Sequence, residues 1–165
     1  GTGATARLLA ASVQSIEGTD ISPEMIAIAR QKASEEGITN AEFNVATVSD
    51  TRFGETGYDA VLAHNILHLL DDLDTGIADL ATAVKPGGWF ISKTPCLGKD
   101  GFSLKTRAMK TMVGIMRLFG KAPPVLFFSP TALEVAVKDA GFEVLESADF
   151  PVGKGHRYIV ARKRV

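Results

Sequence analysis

The sequence predicts an α/β protein with a doubly wound, mostly parallel sheet. Short apolar segments typical of buried strands alternate with amphipathic segments of about ten to fifteen residues, which is the pattern of helices between parallel strands. A glycine turn, Gly1-Thr2-Gly3, opens the first helix, and an acidic residue, Asp20, follows the first strand. Turn, helix, strand and strand-end acid occur in the order expected of a nucleotide-binding crossover.

That first crossover is GTGATARLLAASVQSIEGTD. Gly1 and Gly3 allow the backbone to approach a ligand closely, and a helix over Ala4–Ser12 presents its free N–H groups to that ligand. A strand over Val13–Thr19 brings Asp20 to its carboxyl end, where the carboxylate can accept hydrogen bonds from ribose hydroxyls. The chain starts on the glycine turn, so we expect the strand that leads into such a turn to be missing from an N-terminally incomplete domain.

The next elements are marked by clear helix boundaries. Ser22 is a good N-cap, Pro23 suits the first helical position, and Gly37 is typical of the residue after a helix. Residues Ala41–Ala46 are predicted to form a short strand. The polar stretch Thr47–Gly57 after it has the composition of a turn-rich loop.

The central segments continue the alternation. Tyr58–Ala63, YDAVLA, has the continuous apolar character of a strand buried on both faces. A helix is predicted over Asp71–Val84, and it stops at the turn Lys85-Pro86-Gly87-Gly88. The next strand is Trp89–Thr94.

The pattern changes after Pro95, where residues 96–128 form an insertion with a helix predicted from Leu104 to Phe119. Its methionines and basic residues would let it cover an apolar ligand or lie on an anionic membrane surface. The more ordinary interpretation is a helix that packs on the core and exposes a basic side.

The C-terminal part adds one helix and two strands. Ser129 is expected to cap a helix that runs to Ala140. The strands Phe142–Phe150 and His156–Arg162 are joined by a short turn, which makes them antiparallel neighbours.

Length and composition limit the class of protein. A chain of 165 residues is expected to form one domain over residues 1–165 with its own core. The net charge of −1 disfavours a general nucleic-acid binder. Cys96 is the only cysteine, so no intramolecular disulfide or cysteine-rich zinc site is possible, and no apolar run is long enough for stable membrane insertion. We therefore expect a cytoplasmic protein; its oligomeric state is left open.

Four segments together resemble a known family. They are GTGATARLLA, TDISPEMIAIARQKA, YDAVLAHNILHLL and VKPGGWFIS. With the antiparallel C-terminal pair, they are similar to class I S-adenosylmethionine-dependent methyltransferases, the group that includes ubiquinone and menaquinone biosynthesis methyltransferases. The resemblance covers essentially the whole chain. It implies a Rossmann-like sheet of strand order 3-2-1-4-5-7-6 with an antiparallel C-terminal strand, lacking its first strand here, and places the insertion 96–128 on the substrate side.

The resemblance also implies an activity and a cofactor site. The activity is transfer of a methyl group from S-adenosylmethionine to the oxygen, nitrogen or carbon of a small-molecule acceptor, with S-adenosylhomocysteine as product. The implied contacts are Gly1, Thr2 and Gly3 for the methionine and ribose part, Asp20 for the ribose hydroxyls, Ile21 and Met25 near the adenine, and Ala63 and His64 by the methionine moiety. Where the family often has an acid after the third strand, this chain has Thr47, followed by Val48, so we expect weaker adenine recognition.

Candidate catalytic residues are His64 and His68, which follow the fourth strand of the family pattern and could serve as a general base. The alternative for each is local packing or capping. His156 is interpreted as structural. Asp71, Asp72 and Asp74 are interpreted as caps and first-turn charges of the next helix rather than as metal ligands, and no metal site is expected.

Two other classes of function remain open from the sequence. One is a nicotinamide-dependent oxidoreductase, which shares the glycine turn and the acid but not the C-terminal antiparallel pair. The other is a non-catalytic binding or scaffold domain that has kept the methyltransferase fold.

Overall fold

A computed structural model describes residues 1–50, 57–98, 108, 111–112, 125–151 and 156–165. The chain divides into two compact units, Gly1–Asp50 and Thr51–Val165. None of the helices in these described parts is long and apolar enough to cross a membrane.

The first unit has two helices and a two-stranded parallel sheet. Its elements are α1 (Ala4–Leu9), which continues as a 3₁₀ turn (Ala10–Ser12), β1 (Ile16–Asp20), α2 (Pro23–Glu35) and β2 (Ala41–Val45). β1 pairs with β2 in parallel, with Asp20 opposite Val45. The α2 boundaries agree with the sequence: the Ser22 hydroxyl accepts a hydrogen bond from the Met25 N–H at 3.3 Å, and Gly37 has a φ of 68°.

Phe43 forms the centre of the first unit's core. It is buried with Ile26, Ala29 and Ala33 of α2. A Cβ added at Gly3 would lie 2.6 Å from Phe43 Cε1, and one at Gly18 would lie 2.8 Å from Phe43 Cδ1. The ring therefore occupies the space that side chains at both glycines would need, and no pattern in the sequence indicates the packing role of Gly18.

The second unit contains a mixed four-stranded sheet. Its elements are β3 (Tyr58–His64), a 3₁₀ turn (Leu67–Leu69), α3 (Leu73–Ala83), β4 (Val84–Pro95), α4 (Pro130–Asp139), β5 (Phe142–Asp149) and β6 (His156–Lys163). The strand order is β3-β4-β6-β5. β3 and β4 are parallel, and β6 runs antiparallel to both β4 and β5. This order agrees with the 4-5-7-6 part of the expected sequence of strands.

The core of the second unit joins the sheet to α3 and α4. Phe90 of β4 stacks on Phe142 of β5 with ring centroids 5.1 Å apart, and Ile77 and Leu133 are fully buried on the two helices. Arg157 of β6 donates to Glu134 of α4 at 2.6 Å and to Asp149 of β5 at 3.0 Å, as two ion pairs that tie three elements together.

Two expectations about strands are corrected. β1 begins at Ile16 rather than Val13. Burial of β3 on both faces is wrong, because Asp59 and Ala60 are exposed and Leu62 keeps 36% of its surface exposed. Within the described four-stranded sheet β3 pairs with β4 alone, and in the family order its other neighbour is the first strand, which we expect to be missing from this sequence.

The predicted turn Lys85–Gly88 belongs to β4. The pairing of β3 with β4 shifts register here, between Tyr58 and Ala60, and Gly87 has a φ of 73°. A register shift with a glycine in the left-handed region lets the strand continue through a proline and two glycines.

Most of the insertion predicted at 96–128, including most of the helix Leu104–Phe119, lies outside the described residues. Its two ends meet, because the Gly98 N–H donates to the Phe128 carbonyl at 2.9 Å. The chain thus leaves the sheet after β4 and returns to the same place before α4.

Candidate functional site

In the first unit, the glycine turn and Asp20 lie together. Gly3 is the N-cap of α1 with a φ of 69°, and the Gly1 amino group donates to Asp20 Oδ2. The other carboxylate oxygen accepts from the Ser22 N–H at 2.8 Å. A carboxylate has about four acceptor positions. Asp20 therefore keeps capacity for the hydroxyl hydrogens of a ligand.

The environment of Asp20 favours its charged form. Partial burial alone would raise the pKa of Asp20, whereas the hydrogen bond from the Ser22 N–H stabilises the charged carboxylate and lowers the pKa. Asp20 is consequently ionised at neutral pH and can act only as an acceptor, which is the role that a ribose diol requires.

The other first-unit residues implied by the resemblance lie around the carboxyl ends of β1 and β2. Ile21 follows Asp20 directly and keeps 70% of its surface exposed, and Met25 in the first turn of α2 keeps 38%. Thr47 is exposed in the turn after β2, where its carbonyl accepts from the Asp50 N–H at 3.2 Å. Val48 is half-buried. The exposed apolar side chains provide a surface suited to an aromatic ring.

In the second unit, His64 lies at the carboxyl end of β3. The strand ends there because Asn65 adopts a left-handed φ of 56° and donates its N–H to the Lys93 carbonyl at 2.7 Å. Ala63 is buried and His64 is half-buried. Burial, and then the charge of Lys93, lower the pKa of His64 below its ordinary 6.5. The imidazole is therefore neutral at pH 7.

His68, in the 3₁₀ turn after β3, is oriented by a buried hydroxyl. Its Nδ1 lies 3.3 Å from Oγ1 of Thr94, a residue of β4 with no exposed surface. Its carbonyl accepts from the Leu126 N–H at 2.8 Å. Burial, and then the charge of His156, lower the pKa of His68. His68 is thus a neutral imidazole with one ring nitrogen engaged, which leaves Nε2 for a ligand.

The acidic cluster before α3 behaves as the sequence predicts. Asp72 is the N-cap, and its side chain accepts from the Thr75 N–H at 2.8 Å. This backbone hydrogen bond is the main reason that the pKa of Asp72 lies below its ordinary value. Asp74 is in the first turn of the helix. Both positions favour negative charge near the positive end of the helix dipole.

Sequence reasoning missed several residues at the carboxyl ends of β3 and β4. Lys93 Nζ lies 5.5 Å from the centroid of the Tyr158 ring, and Tyr158 in turn packs edge-on against Phe150. His156, interpreted from sequence as structural, has a buried Nδ1 with no hydrogen-bond partner among the described residues. Strand alternation assigns each residue to a face, but only the register of β4 against β6 brings Lys93 to Tyr158.

Comparison with known proteins gives the family of this chain. Residues 1–88, more than half of the chain, match the model of the methyltransferase domain family. The chain belongs to that family. The assignment agrees with the resemblance drawn from the motifs, and it removes the nicotinamide-dependent oxidoreductase from the open alternatives.

Three curated relatives are named as methyltransferases. The chain is 33% identical over 88 residues to a demethylmenaquinone methyltransferase of Tropheryma whipplei, an alignment that covers 53% of this chain and 36% of the relative. It is 28% identical over 91 residues to the uncharacterized methyltransferase YcgJ of Bacillus subtilis, covering 55% and 36%. A ubiquinone biosynthesis O-methyltransferase of Methylobacterium nodulans is 25% identical over 160 residues, covering 90% and 64%. The chain thus spans about a third of the length of the first two relatives.

Solved structures establish the fold. A SAM-dependent methyltransferase from Methanosarcina mazei superposes with a TM-score of 0.74 at 20% identity, covering 100% of this chain and 89% of that one. The [4+2]-cyclase SpnF superposes with a TM-score of 0.80 at 18% identity, covering 100% and 72%. The fold is therefore the Rossmann-like α/β fold of S-adenosylmethionine-dependent methyltransferases. A cyclase among these neighbours illustrates that a fold does not fix a reaction.

Proposed function

We propose that this chain binds S-adenosylmethionine and transfers its methyl group to a small-molecule acceptor. The observation that carries the proposal is the juxtaposition of the glycine turn with the ionised Asp20 at the end of β1. Family membership and the demethylmenaquinone and ubiquinone methyltransferases among the relatives support a small-molecule acceptor. When bound, the cofactor supplies a methyl group already activated on a sulfonium sulfur.

The first unit fits the adenosine part of this cofactor. Gly3 has a left-handed backbone at the turn that opens α1, a conformation that a side chain would strain. Asp20 has free acceptor capacity for the two ribose hydroxyls. Ile21 and Met25 expose apolar surface that would cover an adenine ring. In place of the acid often found after the third strand, we assign a contact with the adenine edge to Thr47 and the Val48 N–H.

Roles for the second unit follow from the same proposal. We assign the backbone of Ala63 and His64, at the end of β3, to the methionine part of the cofactor, which leaves the His64 imidazole for another ligand. The protein's main contribution to methyl transfer is to hold the acceptor in line with the methyl group and to exclude water. A base is needed only when the acceptor must lose a proton.

His68 is the residue that we propose as that base. If Nδ1 carries the proton and donates to Thr94 Oγ1, Nε2 has a free lone pair that can take a proton from the acceptor. The buried Thr94 hydroxyl would then be a positioning group, since it selects the tautomer without touching the acceptor. We choose His68 over His64 for this role because the contact of its Nδ1 with Thr94 leaves Nε2 available to the acceptor.

Calorimetric titration with S-adenosylmethionine and S-adenosylhomocysteine tests the function directly. We expect micromolar binding that Asp20→Ala weakens tenfold or more, about 1.4 kcal/mol. Asp139→Asn is the matched control, because Asp139 is an exposed carboxylate at the end of α4 in the other unit. Its affinity should equal that of the unchanged protein.

The same titration distinguishes the methyltransferase from the non-catalytic scaffold domain, the alternative that remains open. A folded protein with an intact first strand that binds neither ligand would refute cofactor binding and favour the non-catalytic scaffold. Equal losses in Asp20→Ala and Asp139→Asn would refute the role of Asp20. Binding with no S-adenosylhomocysteine formed across acceptors of varied chemistry would reduce the protein to a cofactor-binding domain.

A further inference from the structure

Three side chains form a row across the second unit's sheet, where β3 and β4 end. His64 of β3 lies opposite Lys93 of β4, and Lys93 lies opposite Tyr158 of β6. Residues directly opposite each other on paired strands point to the same face of the sheet. The row His64–Lys93–Tyr158 therefore lies on one face, at the carboxyl ends of the two parallel strands, where α/β proteins bind ligands.

The row carries a positive charge that the described residues do not neutralise. Lys93 is half-buried and has no carboxylate partner in the part of the chain that the structure describes; its ammonium lies over the Tyr158 ring. The next strand contributes Ala148 to the row, opposite Tyr158. A partly buried cation without a counterion is costly unless a ligand supplies the negative charge.

Two carboxylates of the second unit's described residues are engaged with another cation. Asp149 and Glu134 both pair with Arg157, and Arg157 lies opposite Thr94 on the face that faces away from Lys93. Alternation along a strand puts neighbours such as Lys93 and Thr94 on opposite faces. The Arg157 pairs therefore do not compensate Lys93.

An apolar surface adjoins the row. Phe150 packs edge-on against Tyr158, with ring centroids 5.9 Å apart, and keeps 65% of its surface exposed. An exposed phenylalanine and a half-buried tyrosine beside a single charge are the composition of a site for a ligand with an apolar body and one charged group.

We propose that the row His64–Lys93–Tyr158, with Phe150, binds the carboxylate and ring of an aromatic acid, and that this is the acceptor class of the methyltransferase. The substrate assignment rests on the proposed function. Lys93 supplies the one full positive charge and His64 a neutral N–H donor, which matches a monoanionic carboxylate better than a phosphate dianion. Tyr158 and Phe150 contact the ring of the acid.

Titration of the histidines gives a readout that does not depend on turnover. The chain has three histidines, so their imidazole C2–H signals in an NMR spectrum are few and separable. The only charged or titratable groups that share the row with His64 are Lys93 from β4 and Tyr158 from β6. Burial, and then the charge of Lys93, lower the pKa of His64, so a bound anion that neutralises Lys93 removes the second of these effects and should raise the pKa.

The probe is benzoate, with neutral benzamide as its isosteric control and inorganic phosphate as a second anion. In the full chain we expect benzoate to shift the His64 signal saturably and to raise the His64 pKa, and benzamide at the same concentration to leave both unchanged. Lys93→Met should weaken benzoate binding at least tenfold, and Lys93→Arg should retain it. Lys85→Met is the matched control on the same strand, because Lys85 is paired with Asp59.

Each contrary result overturns a defined part of the proposal. Equal binding of benzoate and benzamide, or undiminished binding in Lys93→Met, would refute an anion site. Tighter phosphate than benzoate binding would refute the carboxylate assignment. Loss of S-adenosylmethionine binding in Lys93→Met, with benzoate unaffected, would assign Lys93 to the cofactor. If benzoate binds but the cofactor does not, the proposed function fails while the anion site stands.

Discussion

A comparison of two glycines tests whether the structure places the core of the first unit correctly. Gly3 and Gly37 have nearly the same backbone angle, with φ of 69° and 68°. A Cβ at Gly37 would meet nothing within 4 Å, whereas one at Gly3 would lie 2.6 Å from Phe43 Cε1 and 3.0 Å from Ala29 Cβ. Replacing each by alanine therefore adds the same backbone strain but different crowding.

The expected magnitudes follow from these two terms. A left-handed conformation costs an alanine about 1–2 kcal/mol. Forcing a methyl group into a packed core adds about 1–3 kcal/mol. Phe43 cannot move aside easily, because it is 3% exposed and Gly18 borders the same ring. We expect Gly37→Ala to lower the free energy of unfolding by about 1–2 kcal/mol and Gly3→Ala by about 2–5 kcal/mol.

The assay is urea unfolding of both variants at pH 7, followed by circular dichroism. Fluorescence would be a poor probe, since Trp89 is the only tryptophan and lies in the second unit, whereas both glycines lie in the first. Gly3→Ala should also weaken S-adenosylmethionine binding, and Gly37→Ala should not. A loss of stability in Gly3→Ala no larger than that in Gly37→Ala would refute the packing of Phe43 against the glycine turn.

Two further predictions concern the histidines. Burial lowers the pKa values of His64 and His68 below 6.5. As the pH falls, the histidines of the unfolded chain therefore take up protons before those of the folded chain. The contribution of this effect to the free energy of unfolding should be largest above pH 6.5 and should decrease as the pH falls through and below that value. Urea unfolding between pH 7.5 and pH 5 should show this dependence of the free energy of unfolding on pH. The double variant His64→Gln, His68→Gln should weaken it, and an unchanged pH dependence would contradict the assigned burial. The second prediction concerns the hydroxyl of Thr94 that contacts His68. Thr94→Val should change the tautomer of His68 in ¹⁵N NMR spectra, while Thr94→Ser should preserve it. Identical His68 spectra in both variants would exclude a positioning role for the hydroxyl.

The parts of the fold that the sequence predicts are those decided by neighbouring residues. Ser22, Pro23 and Gly37 determine both ends of α2 through capping and backbone conformation, and these are properties of a few consecutive residues. Asp72 likewise determines the start of α3 as its N-cap, which is also a local property of the sequence. The proximity of Asp20 to the glycine turn is predicted for a related reason, since a strand that follows a glycine turn and a helix ends near that turn.

What the sequence does not predict depends on pairing between distant segments. The exposure of β3 depends on which strands and helices lie beside it, and the composition of an apolar strand does not indicate which neighbours are present. The contact of His68 with Thr94 joins a turn to a strand 26 positions away. The row through Lys93 and Tyr158 requires the register of β4 against β6, and a shift of one residue would turn Lys93 to the opposite face.

The two proposals for the second unit constrain each other through one strand. Lys93 and Thr94 are consecutive in β4, so Lys93 points to one face of the sheet and Thr94, with His68, to the other. An acceptor that places its carboxylate at Lys93 and its reacting proton at His68 must therefore lie across the carboxyl end of β4. A rigid ring with the carboxylate at one end and the methylated atom at the other can reach both groups, so the geometry of β4 favours acids of that shape.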